Sequence, residues 1–200
     1  WFFSAKKTSH TPHFLQTPLF TMIQFQILLG MGAGLFIPYF NIYFVQHLGA
    51  SSALFGLIDG SANALNALLT LLAPLLALRI SRINTLVFTR LLSLPLMLII
   101  GLTGWLPLAA VLYPLRQGLM DMSAGILQVF SMEVVAERHR GIANSSYQAA
   151  YQAANGLATP IGGLIIAHLG YPPVFILAAI LYMAALTLLW GRFGQRGSTN

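Results

Sequence analysis

The sequence predicts an all-α membrane protein: six transmembrane helices in two sets of three, the sets having opposite orientation in the membrane. Three observations predict it. The first is composition: 57% of the 200 residues are hydrophobic and 7% are charged, where a soluble domain carries about 25% charged residues. A globule of this length leaves much of its surface in water and has nowhere to hide so much apolar area. A bilayer, acting as the solvent, removes that difficulty. The second is six apolar runs, each long enough to cross about 30 Å of hydrocarbon at about 1.5 Å per residue. The third is that the basic residues fall in alternate breaks between those runs.

The first run spans Pro18 to Val45. Ahead of it, Trp1-Phe2-Phe3 leads into a polar stretch with Lys6, Lys7, His10 and His13. A signal peptide would set its positive residues before an apolar run and a small-residue cleavage site, an order missing here. Residues 1–17 read instead as a cytoplasmic linker following the tail of an earlier helix. The sequence is therefore expected to be a piece of a longer chain. The linker's Ser, Thr and Pro content favours disorder.

The other runs are Ala53 to Leu78, Thr85 to Thr103, Pro107 to Met132, Ile142 to Ala167, and Pro172 to Trp190. Residues 18–191 thus form the bundle and 192–200 a cytoplasmic tail. The breaks carry turn chemistry: His47 to Ser52, Gly104-Trp105-Leu106-Pro107, and His168 to Pro173.

Lys6 and Lys7 precede the first run, and Arg79 and Arg82 separate the second from the third, with Arg90 one turn inside the third. Arg138 and Arg140 separate the fourth from the fifth, and Arg192 and Arg196 follow the sixth. All nine fall on one side. The positive-inside rule makes that side, and both chain ends, cytoplasmic.

Ionisable residues inside a span are expensive and face a bundle interior or a water-filled path. Asp59 in the second run and Arg116 and Asp121 in the fourth qualify. Their neighbours repeat at helical spacing. Asp59, Asn63, Asn66 and Thr70 make one stripe. Gln117, Asp121, Gln128 and Ser131 make another, with Arg116 on the adjoining row. Asn144, Gln148, Gln152, Asn155 and Thr159 make a third, beside Tyr147 and Tyr151. The first run has Gln26 and Asn41, whereas the third and sixth are almost wholly apolar. The order is lining, lining, outer, then the same again, and such a three-plus-three repeat builds many transporters. Amides in spans also serve as interhelical glue, and Arg116 could equally pair with Asp59 or Asp121 to hold the bundle.

Other classes fit poorly. The basic residues are scattered between apolar runs and form no face for nucleic acid. No cysteine is present, and no His, Asp or Glu cluster has metal-ligand spacing, so neither metal nor cofactor is expected. An intramembrane protease would need a His within a span; Gly60-Ser61 is present, but His47 and His168 lie in loops. A self-assembling six-span channel or scaffold stays open as an alternative, although no filter-like loop recurs.

Arg116-Gln117-Gly118-Leu119-Met120-Asp121-Met122-Ser123 resembles the arginine-then-glycine motif of major facilitator superfamily transporters. It is also similar to a Met-Asn-Met-Ser run of some bacterial members, with Asp121 where those carry Asn. Glu137-Arg138-His139-Arg140-Gly141 resembles the loop before the family's eleventh helix, and Thr159-Pro160-Ile161-Gly162-Gly163 its Gly-Pro-rich pattern. Leu78-Arg79-Ile80-Ser81-Arg82 resembles the family's Asp-Arg-x-Gly-Arg gating loop, with Leu78 and Ser81 replacing Asp and Gly. Arg79 and Arg82 are then its remnant.

The resemblance runs from Pro18 to Trp190 and implies the C-terminal six-helix half of such a transporter, in a bacterial-type plasma (inner) membrane. Its partners would be the lipid bilayer, an N-terminal six-helix half of the same polypeptide, and a small-molecule or ion substrate. The implied function is a secondary active carrier working by alternating access. Asp59, Asn63, Asn66, Arg116, Gln117, Asp121, Gln148, Gln152 and Asn155 are the pathway candidates. Asp121 sits near mid-span. There desolvation favours a neutral carboxyl and a nearby guanidinium favours a charged one, which suits it to carry a proton.

Overall fold

The computed structural model describes residues 13–133 and 135–194. Lys6, Lys7, Arg196 and most of the expected linker and tail lie outside them. Among the described residues seven long α-helices follow one another: α1 (His13–Phe36), α2 (Ser52–Ile80), α3 (Arg82–Leu102), α4 (Leu106–Asp121), α5 (Ala124–Glu133), α6 (Arg140–Leu169) and α7 (Pro172–Phe193). Helix α1 begins ahead of the expected Pro18 boundary.

Two of the expected continuous runs are broken. After Phe36 the chain passes through a 3-10 turn (Ile37–Tyr39), one α-helical turn and a π-helical turn (Tyr43–His47). Pro38 is the cause at the first break. It has no N–H to donate, and its ring crowds the carbonyl one turn back. The fourth run divides at Met122 and Ser123 into α4 and α5. Ser123 is fully buried there and accepts a hydrogen bond from Arg90 Nε at 3.3 Å.

The turns follow local chemistry. Ser51 caps α2, its hydroxyl accepting from the Leu54 amide at 3.1 Å, one of the orphan donors at a helix start. Gly49 before that cap has φ +74° and Gly170 after α6 has φ +80°, where a side chain would be strained. Prolines near the starts of α4 and α7 bring a pre-set φ and lose no needed donor.

Helix α1 is the spine, packed along α6 and α7. A Cβ on Gly30 would come 2.4 Å from the Tyr151 carbonyl oxygen, and one on Gly162 would come 2.2 Å from that of Leu35. Small residues here let α1 and α6 touch backbone to backbone, the usual basis of tight helix pairing in a bilayer. Helix α4 packs against α2 and α3, and α3 against α7. An aromatic cluster fills the centre, with Phe40 against Tyr113 at 4.9 Å and against Phe36 at 5.2 Å between ring centroids.

The two ends of the bundle differ in charge. At one end the Tyr43 hydroxyl shares its one proton between the carbonyls of Ile100 and Thr103, and its ring packs on Tyr171. No Lys or Arg stands in those loops. At the other end Arg82 pairs with Glu133, Arg140 with Glu137, and Phe130 meets Phe193. Arg79, Arg138 and Arg192 belong to that end as well.

Four segments are long and apolar enough to cross a membrane unaided: Pro18–His47, Ser52–Leu76, Arg82–Leu102 and Pro172–Phe193. Leu106–Glu133 and Glu137–Leu169 qualify only together, across a bend of 116°. By length and composition alone, four or five of the expected six crossings are met among the described residues. The shortfall has a physical source. The fourth and fifth runs carry Arg116, Gln117, Asp121, Asn144, Gln148, Gln152 and Asn155, and this same polarity lowers their hydropathy.

Candidate functional site

Spacing alone puts Arg116 and Gln117 on adjoining rows of α4, with Asp121 one turn below Gln117. The fold closes the remaining walls around them. Helices α1, α3, α5, α6 and α7 each contribute side chains to a cavity of about 230 Å³. From α1 comes Gln26, from α3 Arg90, from α5 Gln128 and Ser131, and from α7 Tyr182. Helix α6 supplies Asn144, Tyr147, Gln148 and Tyr151.

The polar groups form a chain. Arg116 Nη1 donates to Gln117 Oε1 at 2.8 Å, and Gln117 Nε2 donates to Asp121 Oδ2. Gln117 thus bridges the guanidinium and the carboxylate, which make no direct ion pair. The structural pairing of Arg116 with Asp59 or Asp121 is absent among the described ion pairs. Arg116 is 1% exposed and lies under two aromatic faces, with Cζ 5.0 Å from the Phe36 centroid and 5.7 Å from that of Phe40. A desolvated cation–π contact is worth about 2 kcal/mol, less than the cost of burying the charge. Nε and Nη2 of Arg116 have no hydrogen-bond partner. The Tyr182 phenol lies beside the guanidinium without a well-formed bond to either.

Arg90 is the residue sequence reasoning missed as a site group. By sequence it groups with the topology-setting charges, yet it is 5% exposed and lines the cavity. Its Nε is held by Ser123, its Cζ is 5.8 Å from the Phe25 centroid, and its Nη1 has no partner. One signal was available. Arg90 lies in the third turn of α3, deeper than a side chain reaching the membrane surface needs to be.

Of the sequence candidates, Arg116, Gln117, Asp121 and Gln148 meet in the cavity. Asp59, Asn63 and Asn66 do not. Asp59 Oδ1 accepts from the Tyr113 hydroxyl at 2.8 Å and its Oδ2 from Asn63 Nδ2 at 3.3 Å. Thr70 donates to Asn66 Oδ1 at 3.2 Å. That stripe is bonded within α2 and to α4. Gln152 and Asn155 stand on α6 outside the cavity lining. The gate-motif remnant keeps the backbone its sequence has lost the residue for: Ser81, at the glycine position, has φ +73°. Arg82 binds Glu133, whereas Arg79 joins no described ion pair.

The sequence profile of the Major Facilitator Superfamily matches residues 25–198. The chain belongs to the Major Facilitator Superfamily. No curated protein matches it significantly. The family is one of membrane transporters, and the match supports a transporter of the major facilitator type.

Proposed function

We propose that the chain is one half of a secondary active carrier that moves a small solute by alternating access, with Asp121 as proton carrier. The observation that carries this reading is the polar cavity itself, walled by helices of both triplets and holding Asp121 tied through Gln117 to Arg116. Carriers bind substrate and coupling ion near the midplane, between repeats and at interrupted helices. The α4–α5 break, immediately after Asp121, supports that comparison.

We infer six crossings. Helix α6 has 30 residues, about 45 Å, and 106–133 is about as long, so each exceeds the hydrocarbon thickness by itself. The exposed Asn63 on α2 and Gln148 and Gln152 on α6 are poorly suited to lipid. A facing half of the carrier, with water between, would cover them. The arginine-bearing end is the cytoplasmic one on this reading.

These 200 residues contain no cysteine, so once any cysteine of the facing half is replaced by serine, a single-cysteine variant reports one position. Gln148→Cys should react with a membrane-impermeant maleimide in both right-side-out and inside-out vesicles, with no ion conductance in planar bilayers. Reaction from one side alone would sink alternating access. Steady conductance would favour a channel.

A further inference from the structure

We infer that the cavity binds an anionic group, a carboxylate or phosphate, of the molecule carried; this rests on the carrier reading above. Among the described residues, four buried side-chain polar atoms have no partner in good hydrogen-bond geometry: Arg90 Nη1, Arg116 Nε, Arg116 Nη2, with the Tyr182 phenol beside that guanidinium, and the Tyr147 hydroxyl. Arg90, Arg116 and Tyr147 all line this one cavity. They are 5%, 1% and 1% exposed. Buried polar groups in folded proteins are normally paired, and an unpaired one is costly. A fold that concentrates its unpaired groups at one place, and pairs them elsewhere, has left them for something else to bond.

Their chemistry selects the partner. The three nitrogens are donors only, and the hydroxyl can donate, so the missing group is rich in acceptors. Nε and Nη2 of Arg116 form one edge of the guanidinium. That edge offers two parallel N–H bonds, the fork that fits two oxygens of a carboxylate or phosphate. Gln117 occupies the remaining nitrogen, Nη1. The Phe36 and Phe40 rings approach the guanidinium within cation–π distance. They shield its charge from lipid without offering an acceptor.

The charge count points the same way. The cavity holds two guanidiniums and one carboxylate, Asp121. The chain has four acidic residues, and the other three are engaged elsewhere: Asp59 with Tyr113, Glu133 with Arg82, and Glu137 with Arg140. With Asp121 ionised, one positive charge therefore remains uncompensated by the acidic side chains of this chain in a low-dielectric site. A monoanion neutralises it, a neutral solute leaves it bare, and a cation adds to it.

The test uses the whole gene product in detergent, read by its melting temperature, since a ligand that binds only the folded state raises it. The probes are benzoate and inorganic phosphate, set against benzamide and benzylamine. Benzoate or phosphate should raise the melting temperature by several degrees near saturation, and benzamide and benzylamine should not. Arg116→Gln should weaken the anion's Kd about tenfold or more, the loss of one charged bidentate contact. If that variant does not fold, Arg116→Lys, which keeps the charge but lacks the fork, and Arg90→Gln carry the same comparison. Equal shifts from benzoate and benzamide, no shift from either anion, or an unchanged Kd in the folded arginine variants would overturn the inference.

A lipid headgroup is the other source of a phosphate. It is addressed by repeating the melts in phosphatidylcholine vesicles with and without phosphatidylglycerol. An arginine-dependent shift from phosphatidylglycerol, with both soluble anions silent, would overturn the assignment to a carried solute. The cysteine-access experiment reads the carrier cycle without any ligand, so the two failures are distinguishable. Intact two-sided access without an anion shift removes this inference alone. One-sided access with an anion shift removes the carriage and leaves a bound anion.

Discussion

Asp59 within α2 and Asp121 at the end of α4 each lie in an apolar run with amides at helical spacing, Asn63 and Asn66 after Asp59 and Gln117 before Asp121. In the fold they part company. Both Asp59 oxygens accept bonds, one from Tyr113 and one from Asn63, and the next pair up the stripe, Asn66 and Thr70, bonds within itself. Around Asp121 the groups are only partly satisfied. Gln117 spans the carboxylate and Arg116, while Arg90, Arg116 and Tyr147 retain unpaired donors. Two stripes of similar composition thus divide into one whose polar groups bond within α2 and to Tyr113, and one that leaves buried donors open to a ligand. The hydrogen-bond accounting separates them where composition does not, because a buried donor must find its partner somewhere.

The largest effect that would test this division is on coupling. Asp121→Asn keeps the shape and the bond from Gln117 but removes the ionisable proton. Uptake driven by a pH gradient should fall on the order of tenfold more than substrate counterflow, which needs no net proton movement, for a group whose charge state is the coupling element. Equal loss of both activities would return Asp121 to the structural class that Asp59 occupies.

The fold was largely legible in the sequence because apolar run length and helical spacing are local properties. Spans two, three and six appear as α2, α3 and α7 with boundaries close to those expected. The breaks were less visible. Pro38 announced the first, but a proline within a run does not always stop it, and Pro74 and Pro95 stay inside α2 and α3. The α4–α5 break has no proline at Met122 or Ser123; its companion is the Arg90 bond to Ser123, made between residues 33 apart. The site was half legible for the same reason. Arg116, Gln117 and Asp121 share one helix and so one spacing rule. Arg90 and Tyr182 reach the cavity only through packing of α3 and α7, which helical spacing does not encode. The α2 stripe is legible as a polar face, but periodicity is silent on what that face touches, and the stripe lies outside the cavity formed by the described residues.

A smaller effect bears on the other side of the comparison. Tyr113→Phe strips Asp59 Oδ1 of its donor and should destabilise the protein by about 1 kcal/mol, the net worth of one such bond. For a chain of this size that is a fall of about 2–4 °C in Tm. Substrate affinity and proton coupling should be unchanged. If Tyr113→Phe impaired transport as much as Asp121→Asn, Asp59 would belong to the pathway and the division between the two stripes would collapse.

An effect of similar size and opposite sign lies at the foot of α2. Ser81 has φ +73° and ψ +156°, a region nearly reserved for glycine, where other residues store about 1–3 kcal/mol. Its hydroxyl accepts from the Asn84 amide at 3.5 Å, a long bond whose loss on replacing a serine cap by glycine costs a few tenths of a kcal/mol. The backbone bond from the Thr85 amide to the Ser81 carbonyl, at 3.0 Å, survives the substitution. Ser81→Gly should therefore stabilise the protein by about 1 kcal/mol, raising Tm by about 2–4 °C. The adjoining Arg82–Glu133 pair is about half exposed on both sides and worth about 1 kcal/mol or less, so it does not compete with the relief of strain. A gain in Tm at unchanged transport rate would class this turn with the satisfied α2 stripe above it. A gain in Tm with slowed transport would mean the strain is relieved during the cycle, and would class the turn with the moving parts despite its lost motif residues.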